Sequence, residues 1–223
     1  MENRTPASER VALEVQVVYF NLNGSQGLVV SGLGKRSQEL LLARDWVSKR
    51  ETPAAAAVRV LTRIAGVRTA IHEPIFVSLD RNGGQGVEPV VTATFTAIGG
   101  APFTSEEWGH FCLASRRRIE ERIRRPEAVL ASLEVIRNLV ADDLRVAVRL
   151  TVNRDGLFTL KDLRRVLVQV TGREMDGANL RRRLEAAEGL VDVVDFDEVM
   201  QGPRPPAVKR GRRSTWYRLH DLG

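Results

Sequence analysis

Residues 51–67 form a stretch whose start, course and end can all be read directly from the chain. Thr52 supplies a hydroxyl cap and Pro53 follows where a helix needs no amide hydrogen. Four alanines run from 54 to 57, and Val58, Leu61, Thr62 and Ala65 keep a helical spacing. Gly66 suits the left-handed position that closes a helix. On both sides of this helix the pattern changes to strands. Residues 11–20 are β-branched and aromatic, turn residues fill 21–27, and 28–31 form the second arm of a hairpin. The apolar run 40–43 predicts a third strand, and 73–79 and 90–98 predict two more. Strands before and after one helix fit a mixed sheet carrying helices.

The 223 residues can bury a substantial core in one large or two small domains. Apolar residues make up 43% and charged ones 28%, the balance of a globular chain. No apolar run nears the ~20 residues of a membrane span, so no membrane partner is expected. Residues 1–10 lack the apolar stretch of a secretion signal and read as a flexible tail. A single cysteine, Cys112, precludes a disulfide within the chain and fits a cytoplasmic protein. With His72, His110 and His220 scattered, no metal site is expected. The formal charge of +6 suggests an anionic partner, yet the halves before and after residue 150 each carry an excess of three. Clustering must therefore locate the binding surface.

From 115 to about 140 the pattern is helical and rich in Arg116–Arg118 and Arg124–Arg125, with Pro126 breaking it into two helices. These arginines read as a charged helix between domains. After the turn at 153–156, Thr159 caps a helix bearing Leu160, Leu163, Val166, Leu167 and Val170, which ends at Gly172. Asp176 then caps a second helix. Its Leu180, Leu184 and Ala187 share one side, while Ala178, Asn179, Arg182, Arg183 and Ala186 project from the other. Arginine suits guanine edges, asparagine suits adenine, and alanines permit close approach to bases. Arg181 lies nearer the core flank and is expected to reach backbone phosphate. Two strands, 189–194 and 215–219, flank a tip containing Lys209, Arg210, Arg212 and Arg213, suited to phosphates. Helix, turn, helix, strand, basic loop, strand is the order of a winged helix.

The segment 51–67 also resembles the Nudix box, where a Glu is followed after seven residues by Arg-Glu-apolar-x-Glu-Glu-x-Gly-apolar. Glu51, Arg59, Leu61, Gly66 and Val67 fall on that pattern, while Val60, Arg63 and Ile64 stand where the pattern has carboxylates. Those carboxylates would hold magnesium, and a guanidinium repels it. Ala43, Arg44 and Asp45 replace the Pro-Gly-Gly that commonly precedes the box. Together with residues 158–190 and the strand at 212–219, the chain resembles Nudix-related transcriptional regulators over roughly residues 11–222. That resemblance implies an α+β protein: a Nudix-like mixed α/β/α sandwich over 11–145, then a winged helix-turn-helix domain over 146–223. It further implies a dimeric repressor, without catalytic residues or cofactor, that binds a double-stranded DNA operator of two-fold symmetry. A small-molecule effector, such as ADP-ribose or another metabolite of NAD or sugar metabolism, would bind the Nudix-like part. Trp46, Glu51 and Arg59 are the candidate ligand residues; Arg59 bracing its helix and aromatic packing of Trp46 or Trp108 are the plainer alternatives. The rival function is a residual Nudix-type hydrolase of a nucleoside diphosphate derivative, with Glu51 and acids from elsewhere holding magnesium.

Overall fold

A computed structural model describes residues 12–23, 27–32, 39–65, 74–82, 89–99, 110–123, 126–152, 156–194 and 215–220. The expected tail at 1–10, the Gly66 cap, Arg124–Arg125, Trp108 and the basic tip at 209–213 lie outside the described residues. Six strands form the larger sheet. They are β1 (Ala12–Asn23), β2 (Gly27–Gly32), β3 (Ala43–Trp46), β4 (Ile75–Asn82), β5 (Val90–Gly99) and β6 (His110–Leu113). Their order is β4-β5-β1-β2-β6, with β3 pairing β1 off that path. β1 and β5 run parallel at the centre and the other pairs are antiparallel, so the sheet is mixed.

Alternation along β1 assigns its side chains to two buried layers. Val15, Val17 and Tyr19 face α1 (Pro53–Ala65), whose Ala56, Ala57, Val60 and Leu61 cover them. Val18 and Phe20 face a larger cluster with Leu28, Val30 and Ile98. Onto that second face pack α2 (Arg116–Arg122) and α3 (Pro126–Asp142), and α4 (Leu144–Thr151) joins the same cluster through α3. Pro126 ends the interruption as the first residue of α3, where proline costs no hydrogen bond.

The same cluster continues without a gap into the C-terminal elements. These are β7 (Leu157–Thr159), α5 (Leu160–Thr171), α6 (Gly177–Ala186), β8 (Val191–Val194) and β9 (Trp216–Leu219). Helix α3 lies against β4 and β5 on one side and α5 on the other, so it bridges the sheet and the last helices. The three short strands form a second antiparallel sheet in the order β7-β9-β8. Phe158 and Tyr217 stack at its centre with ring centroids 5.5 Å apart.

One local expectation needs correction. The third strand occupies Ala43–Trp46 rather than 40–43. Leu40 is buried outside the sheet, in the helix-side cluster, and its N–H donates to Arg122 O at 2.8 Å. Its apolarity serves contact with helices, and the strand beside it is polar because it lies on the rim. Residues 157–159 form β7 before the helix that Thr159 caps. Among the described residues no helix is long and apolar enough to cross a membrane.

Candidate nucleic-acid and ligand sites

The cap expected at Asp176 is present: its carboxylate accepts the Asn179 N–H at 2.9 Å and opens α6. Leu180 and Leu184 are 0% and 1% exposed and anchor the helix to the core. Burying each stabilises by about 1.5–3 kcal/mol, enough to fix which face turns outward. Ala178, Asn179, Arg182 and Ala186 are exposed on that face. Among the described residues, no side chain forms an ion pair with Arg182 or accepts a hydrogen bond from it.

Its two arginine neighbours behave differently. Arg181 Nε lies 3.5 Å from Glu185 Oε1, and its Nη2 donates to Thr215 Oγ1 at 3.4 Å. The Tyr217 phenol beside it, then Glu185, hold its guanidinium above the ordinary basicity. Arg181 therefore leans toward β9. Arg183 is half-buried, and its Nη2 donates to Ala141 O near the end of α3 at 3.4 Å. Helix α6 thus sends Arg181 to the small sheet and Arg183 to α3, leaving Arg182 with Asn179 in solvent. Asp192, on the next strand, is held by His220 Nε2 at 2.8 Å.

The residues around Arg59 on α1 are arranged as a closed network. Arg59 Nε donates to Glu51 Oε1 at 2.9 Å and its Nη2 to Glu51 Oε2 at 2.9 Å, a bidentate fork. Arg59 Nη1 donates to Asp45 Oδ2 at 2.7 Å, and Nη2 also reaches Trp46 O at 3.0 Å. Arg63 Nη1 donates to the same Asp45 oxygen at 3.1 Å. The Arg59 bonds hold both carboxyls below their ordinary values of 3.8 and 4.5. They hold the Arg59 guanidinium above its own. Glu51 also accepts the Ser48 N–H at 3.3 Å, so it is turned toward protein partners on both oxygens. Trp46 is half exposed beside the network, and Val60 is fully buried under the helix. Among the described residues no cluster of His, Cys, Asp and Glu could hold a metal ion.

A separate apolar groove of about 720 Å³ lies on the α1 side of the large sheet, lined by Leu13, Pro53, Phe76, Leu79, Val91 and Phe95 among others. Phe76 and Leu79 stand 54% and 61% exposed on its rim. This feature was not legible in the sequence, because residues three apart in a strand normally face opposite ways.

No family model matches the sequence, and no curated protein is similar to it by sequence. Its fold is that of Nudix proteins. A MutT/nudix family protein from Enterococcus faecalis matches with a TM-score of 0.61 at 14% identity, covering 96% of this chain and 88% of that one. Shewanella oneidensis NrtR bound to a 27-mer DNA matches with a TM-score of 0.58 at 18% identity, covering 93% of each chain. The same protein without DNA gives a TM-score of 0.57 at 16% identity, over 93% of each chain. The alignment spans nearly the whole chain, so the shared fold includes the elements after α3 as well as the sheet.

Against that fold the Asp45 network gains meaning. By the sequence resemblance, Asp45 falls where the Nudix pattern has glycine and Arg63 where it has an acid. The two exchanges are complementary, since each supplies the partner of the other at 3.1 Å. Sequence reading identified both substitutions but not their contact.

Proposed function

We propose that this chain is a DNA-binding transcriptional regulator, a repressor acting as a homodimer on an operator of two-fold symmetry. The observation that carries the reading is the outward face of α6. It presents an amide and a guanidinium without protein partners among the described residues, between alanines, on a helix fixed by two buried leucines. Helices α5 and α6 with a sheet ordered β7-β9-β8 fit a winged helix, in which α6 enters the major groove. Asn179 and Arg182 would read base edges, and Arg181 would reach phosphate from the β9 side. Arg183 would position α6 against α3 as well as reach DNA. Lys209, Arg210, Arg212 and Arg213, between β8 and β9, would touch phosphates. The NrtR neighbour bound to DNA supports this assignment by fold.

The Nudix-like part would sense rather than hydrolyse. Both carboxylates at the box are engaged by Arg59, and Val60 is buried where the pattern requires an acid. A small-molecule effector, ADP-ribose or a related metabolite, would act near Trp46, Glu51 and Arg59. It would shift α3 and with it the separation of the two α6 helices, since an effector works only by differential affinity for two states. The test is retardation of labelled duplex from upstream of the gene, against RNA of the same sequence. Binding of the duplex at low salt, falling steeply as salt rises, is expected. Equal or stronger retention of RNA would overturn the reading.

A further inference from the structure

Strand β4 ends the large sheet, and among the described residues nothing pairs with its outer edge. It pairs β5 as Phe76 with Phe95 and Leu79 with Ala93, with a register shift between Phe76 and Ser78. That bulge brings Phe76 and Leu79, three apart in sequence, onto one face. Both stay largely exposed beside the groove, and the Phe76 ring meets Phe95 edge-on at 5.6 Å. Residues 1–11, which precede β1 in the sequence, carry Glu2, Arg4, Glu9 and Arg10 and no large aliphatic or aromatic residue but Met1 and Val11. Their composition does not suit an apolar surface.

We propose that β4 and the groove face form the contact between two copies of this chain, paired antiparallel about Leu79. The choice of register follows from charge and from parity. A two-fold axis normal to the sheet brings each residue opposite one of the same face, so a residue on the axis meets itself. An axis through Asp80 would oppose two carboxylates and one through Arg81 two guanidiniums. An axis through Leu79 opposes two leucines and sets Ser78, whose hydroxyl donates to Asp80 Oδ2 of its own strand at 3.1 Å, opposite Asp80 of the other copy, so that no two like charges face each other. It also brings Arg81 beside Phe76 of the other copy, a cation near a ring face. Beyond the bulge, Ser78 to Asn82 are paired regularly with β5, so that part of the edge is straight enough to accept a strand. The groove opens on the α1 side of the sheet, whereas α3 to α6 belong to the cluster on the opposite side. Pairing here leaves the α6 face of each copy open. The proposal rests on the regulator reading in one respect: a two-fold operator needs two copies.

The test measures mass in solution for the full chain and for Leu79→Arg, with thermal melts to show that the exposed substitution leaves folding intact. The wild-type chain is expected at twice the monomer mass and Leu79→Arg at the monomer mass. A second variant, Leu79→Cys in a Cys112→Ser background, is expected to cross-link to itself under mild oxidation, and Asp80→Cys in the same background to do so far less. A monomeric wild type, or a Leu79→Arg chain that stays dimeric, overturns the proposal. So does a fluorescent apolar dye that fills the groove of a wild-type monomer, which would point to a small apolar ligand instead. Retardation of duplex DNA reads α6 and not β4. A dimer that ignores DNA therefore defeats the regulator reading alone, and a monomer that binds DNA defeats this interface alone.

Discussion

Helices α1 and α6 both carry arginines on an exposed side, and Arg182 of α6 differs from those of α1 in its fate. On α1, Arg59 gives its donors to Glu51, Asp45 and the Trp46 carbonyl, and Arg63 shares Asp45. On α6, Arg182 keeps its charge in solvent with Asn179 alongside. The difference lies in what the neighbouring elements supply. Strand β3 and the loop before α1 bring two carboxylates to α1, while the turn before α6 gives Asp176 to the cap and Glu174 to Arg164 on α5. An arginine satisfied by carboxylates braces a scaffold, and one left in solvent beside small residues can recognise an anion.

Placing an acid inside α1 breaks this comparison most severely. Val60 is fully buried, so Val60→Glu is expected to cost on the order of 4 kcal/mol in denaturant unfolding without restoring hydrolysis. A stable variant that hydrolysed nucleoside diphosphates would show that α1 kept its catalytic geometry. A smaller change is expected at the basic tip. Arg212→Ala should weaken every duplex alike and lower the salt slope of binding by about 0.9, read from titrations at several salt concentrations.

The smallest effect concerns acid. Asp45 and Glu51 have folded-state values below their ordinary 3.8 and 4.5, so their contribution is complete above those values and fades as pH falls through the lowered ones. Arg59→Ala should therefore flatten the decline of melting temperature on acidification while lowering it modestly at neutral pH. Solvent exposure keeps both changes small. An unchanged acid profile would mean that the network contributes nothing to stability.

Local signals carried much of the fold. Thr52-Pro53 marked α1, the Thr159 and Asp176 caps opened α5 and α6, and Pro126 divided α2 from α3. What stayed hidden depended on tertiary contact. Leu40 looked like strand because it is apolar, yet it is buried against helices. The bulge at Val77, which aligns Phe76 with Leu79, leaves no mark in the residue pattern. At the site, a helical wheel places Arg182 and Arg183 side by side. Only the carbonyl of Ala141, 42 residues earlier, separates their surroundings. The pairing of Asp45 with Arg59 and Arg63 is likewise invisible until β3 and α1 are packed together.

The central claim is that the outward face of α6 reads base sequence. It is tested most directly by titrating wild type and Arg182→Ala against the upstream duplex and a scrambled duplex at one salt concentration. Arg182→Ala should lose about 1–3 kcal/mol on the upstream duplex and much less on the scrambled one. Equal loss on both duplexes, or none on either, would contradict it.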